Sequence, residues 1–284
     1  MSAEDPTPLS AEPTVRLELV SLPPTLTLVR GMLAGVGELL AIDAELLDDL
    51  KTAVSEACNN VVVHAYPNQP GTFEVLLYLS AERVEVIVRD QGVGVPPGAG
   101  DADRAEGIGL PLMRALAEQL EVGRDPAGGT RVRLRFPAWR DGRLLFDPPD
   151  RAKADGNFDQ ELSGEVTASL SPVGLVGGVL GRLARALAAG AHFSLDRFSD
   201  IYLVTDAIAA HAAAAAAHDR IYFALQAGEH RLDLIVGPFR AGSGSLLADA
   251  ESRSFPLGLL ADELAVQPLG DQELLRAALI DPTV

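Results

Sequence analysis

The sequence predicts a mixed α/β fold, an α+β two-layer sandwich with helices on one face of a mixed, largely antiparallel sheet, and it predicts that fold twice in tandem. Three observations carry this. Apolar residues alternate singly in some segments and recur at threes and fours in others. The two kinds of segment follow a set order of strand, helix, helix, two strands, helix, two strands. That order then returns roughly 150 residues downstream, as in a duplicated unit.

The first unit reads as follows. "TVRLELV" (14–20) alternates as a strand, and helical spacing runs from Thr25 to Leu40. A second helix runs from Asp43 through His64 and stops at "YPNQPG", where two prolines and a glycine end it. "TFEVLLYLS" and "RVEVIVRD" form two strands around a tight Ala-Glu turn. The glycine- and proline-rich loop "QGVGVPPGAGDADRAEG" leads into the helix "LPLMRALAEQL", and strands "LEVGR" and "TRVRLRFP" close the unit. Residues 138–162 lose periodicity and gather Asp, Pro and basic residues, the composition of a linker. The expected division is a disordered lead-in at 1–13, a first domain at 14–137, the linker, and a second domain at 163–284.

In the second domain, "GEVTASLSPVGLVGGVLGRLARAL", "IYLVTDAIAAHAAAAA" and "RIYFALQAGEHRLDLIVG" repeat the first three blocks. "DQELLRAALI" is a helix by propensity and a strand by the repeat; the repeat is preferred. His211 and His218, seven residues apart with no third ligand near them in sequence, read as packing or surface residues.

Bulk properties narrow the function. At 284 residues and 48% hydrophobic the chain can fill two cores. Asp and Glu outnumber Lys and Arg by 40 to 23, a net charge of −17, so no basic footprint for nucleic acid is expected. Cys58 stands alone within a helix pattern, which excludes an intrachain disulfide, fits a reducing cytoplasm and suggests a packed thiol. The N-terminus lacks the apolar core of a signal peptide, and the apolar stretches are too short or interrupted for a bilayer, so a soluble, cytoplasmic protein is expected.

Four local features carry chemistry. Glu56 and Asn60 lie one turn apart on a helix face, with Asn59 and His64 nearby, inside a run that otherwise reads as buried. A carboxylate can take a proton from a hydroxyl, and an amide oxygen is a hard ligand suited to Mg²⁺; a solvent-facing helix would also explain them. Asp90, Gly92 and Gly94 follow the end of a strand, where an ionised Asp can accept from an exocyclic amino group and glycines admit close backbone approach, or simply form a turn. Gly107 and Gly109 precede a helix, as a phosphate-binding turn or a hinge would. "GGT", Gly128–Thr130, opens the last strand, as a base contact or a hairpin turn would.

In this order, "SEACNNVVVHAYP", "VRDQGVGVP", "EGIGLPLMRAL" and "GGTRVRLRF" resemble the N, G1, G2 and G3 boxes of the GHKL ATPase superfamily, and within it the anti-sigma factor serine kinase branch. The resemblance covers about residues 14–137 and implies the Bergerat ATP-binding fold. It also implies Glu56 as general base toward a substrate serine, Asn60 as Mg²⁺ ligand and Asp90 as adenine reader. Gly92 and Gly94 would shape the base pocket, Gly107, Gly109 and Leu110 the phosphate turn, and Thr130 would lie near adenine. Val95–Glu106 would be the ATP lid, with Arg104 a phosphate contact.

The cofactors implied are ATP and Mg²⁺. The partners implied are a STAS-domain anti-sigma factor antagonist and a sigma factor, with no nucleic acid and no membrane. No Walker lysine motif and no H-R-D or D-F-G of common protein kinases occurs. A nucleotide-sensing protein-binding module without phosphotransfer is the alternative. The catalytic half of a histidine kinase is disfavoured, because a phosphoacceptor helix and dimerisation hairpin are expected upstream of one. In the second domain Glu56 falls opposite Asp206, Asn60 opposite Ala210 and Asp90 opposite Pro238, so a copy without a nucleotide site is expected. The chain would be a monomer with an intrachain pseudo-dimer, or a homodimer.

Overall fold

A computed structural model describes residues 12–94, 109–150, 162–244, 247 and 257–282. The lead-in up to residue 11, the lid expected at Val95–Glu106 with Arg104, and Gly107 of the phosphate turn lie outside them.

The chain opens with β1 (Val15–Val20), α1 (Thr25–Leu39) and α2 (Ala44–Asn60), which runs into a π-helical turn at Val61–Ala65. Asp43 caps α2, its Oδ1 accepting from the amides of Glu45 (3.2 Å) and Leu46 (3.4 Å). Strands β2 (Thr72–Ser80) and β3 (Arg83–Asp90) form the expected hairpin. Helix α3 (Gly109–Leu116), β4 (Gln119–Arg124) and β5 (Thr130–Phe136) follow. A small hairpin, β6 (Trp139–Arg140) and β7 (Arg143–Leu144), precedes β8 (Val166–Leu170). The remainder is α4 (Val176–Gly190), α5 (Leu195–Ala215), β9 (Ile221–Gly228), β10 (Arg231–Arg240), β11 (Glu263–Leu269) and β12 (Gln272–Ile280). The last of these adopts the strand and not the helix of its local propensity.

Among the described residues ten strands form one sheet in the order β11-β12-β10-β9-β8-β1-β2-β3-β5-β4, and every ladder in it is antiparallel. The expected mixed sheet is corrected accordingly. Two helices separate β1 from β2, each reversing the chain, so β2 must return against β1.

Register sets which side chains meet the helices. Leu17 lies opposite Val75, Val75 opposite Val88 and Val88 opposite Val132, giving one buried aliphatic row. In the next row Leu19 lies opposite Phe73 and Phe73 opposite Asp90, so the period of two turns the Asp90 side chain inward with Val86 and Val88. The opposite face carries an ionic lattice. The Arg133 Nε donates to Glu85 Oε1 (2.5 Å) and the Arg135 Nε to Glu85 Oε2 (3.3 Å).

Part of the stretch expected as linker, 138–162, packs on the first half. Leu145 and Phe146 are buried, the Asp43 amide donates to the Leu145 carbonyl (2.7 Å), and the Asp147 amide donates to that of Leu40 (2.7 Å). Two apolar side chains and main-chain bonds dock this stretch on the first half, which a periodicity test over so few residues cannot register. By length and composition Val173–Gly190 reaches what a bilayer span needs; its buried side chains, Val179, Leu180, Leu183 and Leu187 among them, are part of the core.

Candidate functional site

The site forms where α2, the end of β3, the start of α3 and the β4–β5 turn converge. Glu56 and Asn60, half-buried, project from one face of α2 beneath the first residue of α3. A Cβ placed on Gly109 would lie 3.0 Å from Glu56 Oε2 and 3.9 Å from both terminal amide atoms of Asn60. Hydrogen at Gly109 therefore lets the helix start come down onto the carboxylate and amide. Asn59 is half-buried, and His64 is exposed and so stands apart.

The α2 helix does not stop at Asn60. Its last turn widens into the π form, which carries the Ala65 carbonyl to the loop after β3, where it accepts from the Val93 amide (3.0 Å). A Cβ on Gly92 would sit 2.2 Å from that carbonyl oxygen, so only glycine fits. Gly94 has φ +74°, a left-handed conformation, and packs near the Gly129 carbonyl.

Asp90 is 4% exposed, a carboxylate in a row otherwise filled by aliphatic and aromatic side chains. Its Oδ1 accepts from the amides of Gly92 (2.8 Å) and Thr130 (3.2 Å). Its Oδ2 makes no hydrogen bond among the described residues, leaving a fixed acceptor at the end of β3. A ligand amino group can donate to that oxygen. Thr130 is half-buried at the start of β5, and Leu110, half-buried, follows Gly109 in α3. Thus Glu56, Asn60 and Gly109 come together on one side, and Asp90, Gly92, Gly94 and Thr130 on the other.

Two residues that sequence reasoning missed hold the base of the site. The Tyr66 hydroxyl donates to the Thr72 carbonyl and accepts from the Gln91 amide (3.0 Å), bracing the residue after Asp90; burial pushes this phenol above its ordinary value. Asp125, buried, accepts from the Ala127 amide (2.9 Å) and shapes the turn that brings Gly129 to Asp90. The "AYP" helix stop and the Asp-Pro turn start were the available signals. Burial also pushes the Cys58 thiol well above its ordinary value, as suits a packed, unreactive side chain.

Among the described residues no group of three His, Cys, Asp or Glu side chains is placed to hold a metal. The half-buried Asn60 fits a divalent ion only if phosphate oxygens and water complete the shell, as is usual for Mg²⁺.

Comparison with known proteins bears on the same region. A family model described as histidine kinase-like ATPase domain matches residues 19–136. An anti-sigma F factor from Thermoanaerobacter sp. is 31% identical over 103 residues, which are 32% of this chain and 69% of the relative. The serine-protein kinase RsbW of Bacillus velezensis is 32% identical over 122 residues, 38% of this chain and 76% of the relative. Among solved structures, the histidine kinase domain of a blue-light activated histidine kinase from Erythrobacter litoralis matches at 27% identity and TM-score 0.28, over 33% of this chain and 45% of that one.

Proposed function

Since the chain belongs to the histidine kinase-like ATPase family, we propose that its first half is an ATP- and Mg²⁺-dependent protein-serine kinase that is also an anti-sigma factor. Its antagonist is a STAS-type protein, and phosphorylation of that antagonist releases it and frees the kinase to hold the sigma factor. The observation that carries the nucleotide part is Asp90, a buried carboxylate with one oxygen tied to two amides and the other open. The kinase and sigma parts draw on the names of the relatives.

In this reading the Asp90 Oδ2 accepts from the adenine amino group, and Gly92, Gly94 and Gly129 let the main chain close on the ring. The amide oxygen of Asn60 would hold Mg²⁺, and the N-terminus of α3 at Gly109 and Leu110 would face the phosphates. Bound Mg-ATP supplies the phosphoryl group. Glu56 would accept the proton of the substrate serine hydroxyl as that oxygen takes the γ-phosphoryl group, with ADP as the leaving group.

Titration calorimetry of the chain with ADP and ATP, with and without Mg²⁺, tests the site. Transfer of labelled γ-phosphate to a STAS-domain antagonist tests the reaction. Binding without transfer to any such protein would replace the kinase with a nucleotide-sensing module, and no binding would remove both.

A further inference from the structure

The ten-stranded sheet reads the same from either end. Outward from the centre, β1, β2, β3, β5, β4 on one side match β8, β9, β10, β12, β11 on the other. Helices α1 and α4 have 15 residues each, and each ends in a left-handed residue, Ala41 (φ 48°) and His192 (φ 60°), a separation of 151. Matching main-chain bonds close the two turns, from the Ile42 amide to Gly37 and from the Phe193 amide to Ala188. The same separation aligns buried Leu50, Ala53, Ala57 and Val61 of the first half with buried Ile201, Val204, Ile208 and Ala212. It corrects the sequence alignment by one residue: Glu56 corresponds to Ala207 and Asn60 to His211, not to Asp206 and Ala210.

Applied to the seam, that separation reveals a two-fold axis. In a two-fold interface a residue on the axis meets its own counterpart, and every other contact occurs twice with roles exchanged. Leu17 pairs with Ala168, its counterpart. Val15 pairs with Leu170 and Leu19 with Val166, one contact made twice. A Cβ on Gly31 would lie 3.8 Å from the Cβ of Arg182, again its counterpart. The helix pair and the strand pair thus locate the axis independently, which two unrelated α+β units joined in sequence would not do.

We propose that residues 162–282 are a partner in cis: a second copy of the fold, without its site, that occupies the β1 edge and α1 face where a second molecule would otherwise dock. The copy's cleft is filled by its own side chains. Within the β9–β10 hairpin the offset is three residues shorter, Val75 matching Phe223, which sets Pro238 where β3 carries Asp90; Phe239, fully buried, packs its ring 4.9 Å from that of His211. Glu273 accepts from the Gly242 (2.9 Å) and Gly244 amides and the Ser243 hydroxyl (3.1 Å), drawing that loop inward. With β1 and β8 paired, the β1 edge is taken within the chain, and its working unit is a monomer.

The test needs no nucleotide, so its failure is separate from failure of the kinase reading. Glu18 and Thr167 are directly paired across the seam, at a separation that suits a disulfide. The full chain carrying Glu18→Cys and Thr167→Cys is oxidised and run on a non-reducing gel, beside sedimentation of the unmodified chain over a concentration series. The result expected is a cross-linked band at the mass of one chain and a monomer throughout. A band at twice that mass, no cross-link, or a stable dimer of the unmodified chain each overturns the proposal.

Discussion

Gly129 and Asp90 meet so closely that a Cβ on Gly129 would lie 2.1 Å from the Asp90 carbonyl oxygen and 2.7 Å from its Oδ1. Gly129 also has φ +76°. Gly129→Ala combines a left-handed strain with a clash against main chain, so a loss of about 2–4 kcal/mol in stability is expected. Gly128, at φ +106° with open space around it, carries only the strain, and Gly128→Ala should cost roughly half as much. Urea unfolding compares the two, and ADP titration should show the greater loss for Gly129→Ala.

Asp90→Asn keeps the shape of the side chain and an oxygen for the Gly92 and Thr130 amides, but turns an amino group toward the ligand. Loss of a charge-assisted hydrogen bond predicts ADP affinity lower by about ten- to a hundredfold. The unfolding midpoint should move little. Calorimetry beside a melting curve separates the two effects.

Glu56→Gln and Asn60→Ala should divide binding from chemistry. Removing the base lowers phosphotransfer by about a hundred- to ten-thousandfold while ATP still binds. Asn60→Ala should abolish the Mg²⁺ dependence of ATP binding. Equal partner responses in wild type and Glu56→Gln would favour the sensing module.

Two glycines one turn apart in α1 should respond with opposite sign. A Cβ on Gly35 would lie 2.1 Å from the Gly178 carbonyl of α4, whereas one on Gly31 meets nothing nearer than 3.8 Å. Gly35→Ala is expected to destabilise by about 2 kcal/mol or more, through overpacking of the seam. Gly31→Ala should stabilise by about 0.5–1 kcal/mol, from helix propensity. Thermal unfolding reads both.

His211 gives the second half a pH dependence. Its Nε2 is buried without a partner among the described residues, and burial lowers its pKa below the ordinary 6.5, helped by Arg240 and opposed by Glu273. The unfolded chain therefore binds the proton first. Stability from this group is full above about pH 6.5 and falls as pH drops toward the folded value. His211→Leu should flatten that part of the slope in urea midpoints taken between pH 7.5 and 5.5.

Much of the candidate site was legible because each part has a local signature. Asp90 interrupts a period-two apolar strand, Glu56 and Asn60 interrupt a helical one, and Gly109 stands at a helix start. Tyr66 was not legible, because its hydroxyl bridges Thr72 and Gln91, brought together only by the β2–β3 pairing. Nor was the docking of Leu145 and Phe146, since two apolar residues carry no period. The one-residue alignment error in α5 arose because an alanine-rich helix offers few side chains to fix its register.

The sequence alone determined the order of strands and helices, the family and the candidate residues of one site, since hydrophobic period, turn chemistry and glycine spacing act over a few residues. Only the tertiary structure decided that both halves share one sheet, that Leu17 pairs with Ala168 at its seam, and that Phe239 is buried and Glu273 holds the 242–244 loop. The reason is physical. Which edge a strand pairs with, and whether a pocket is open, depend on close packing between segments far apart in the chain, and no local pattern encodes that distance.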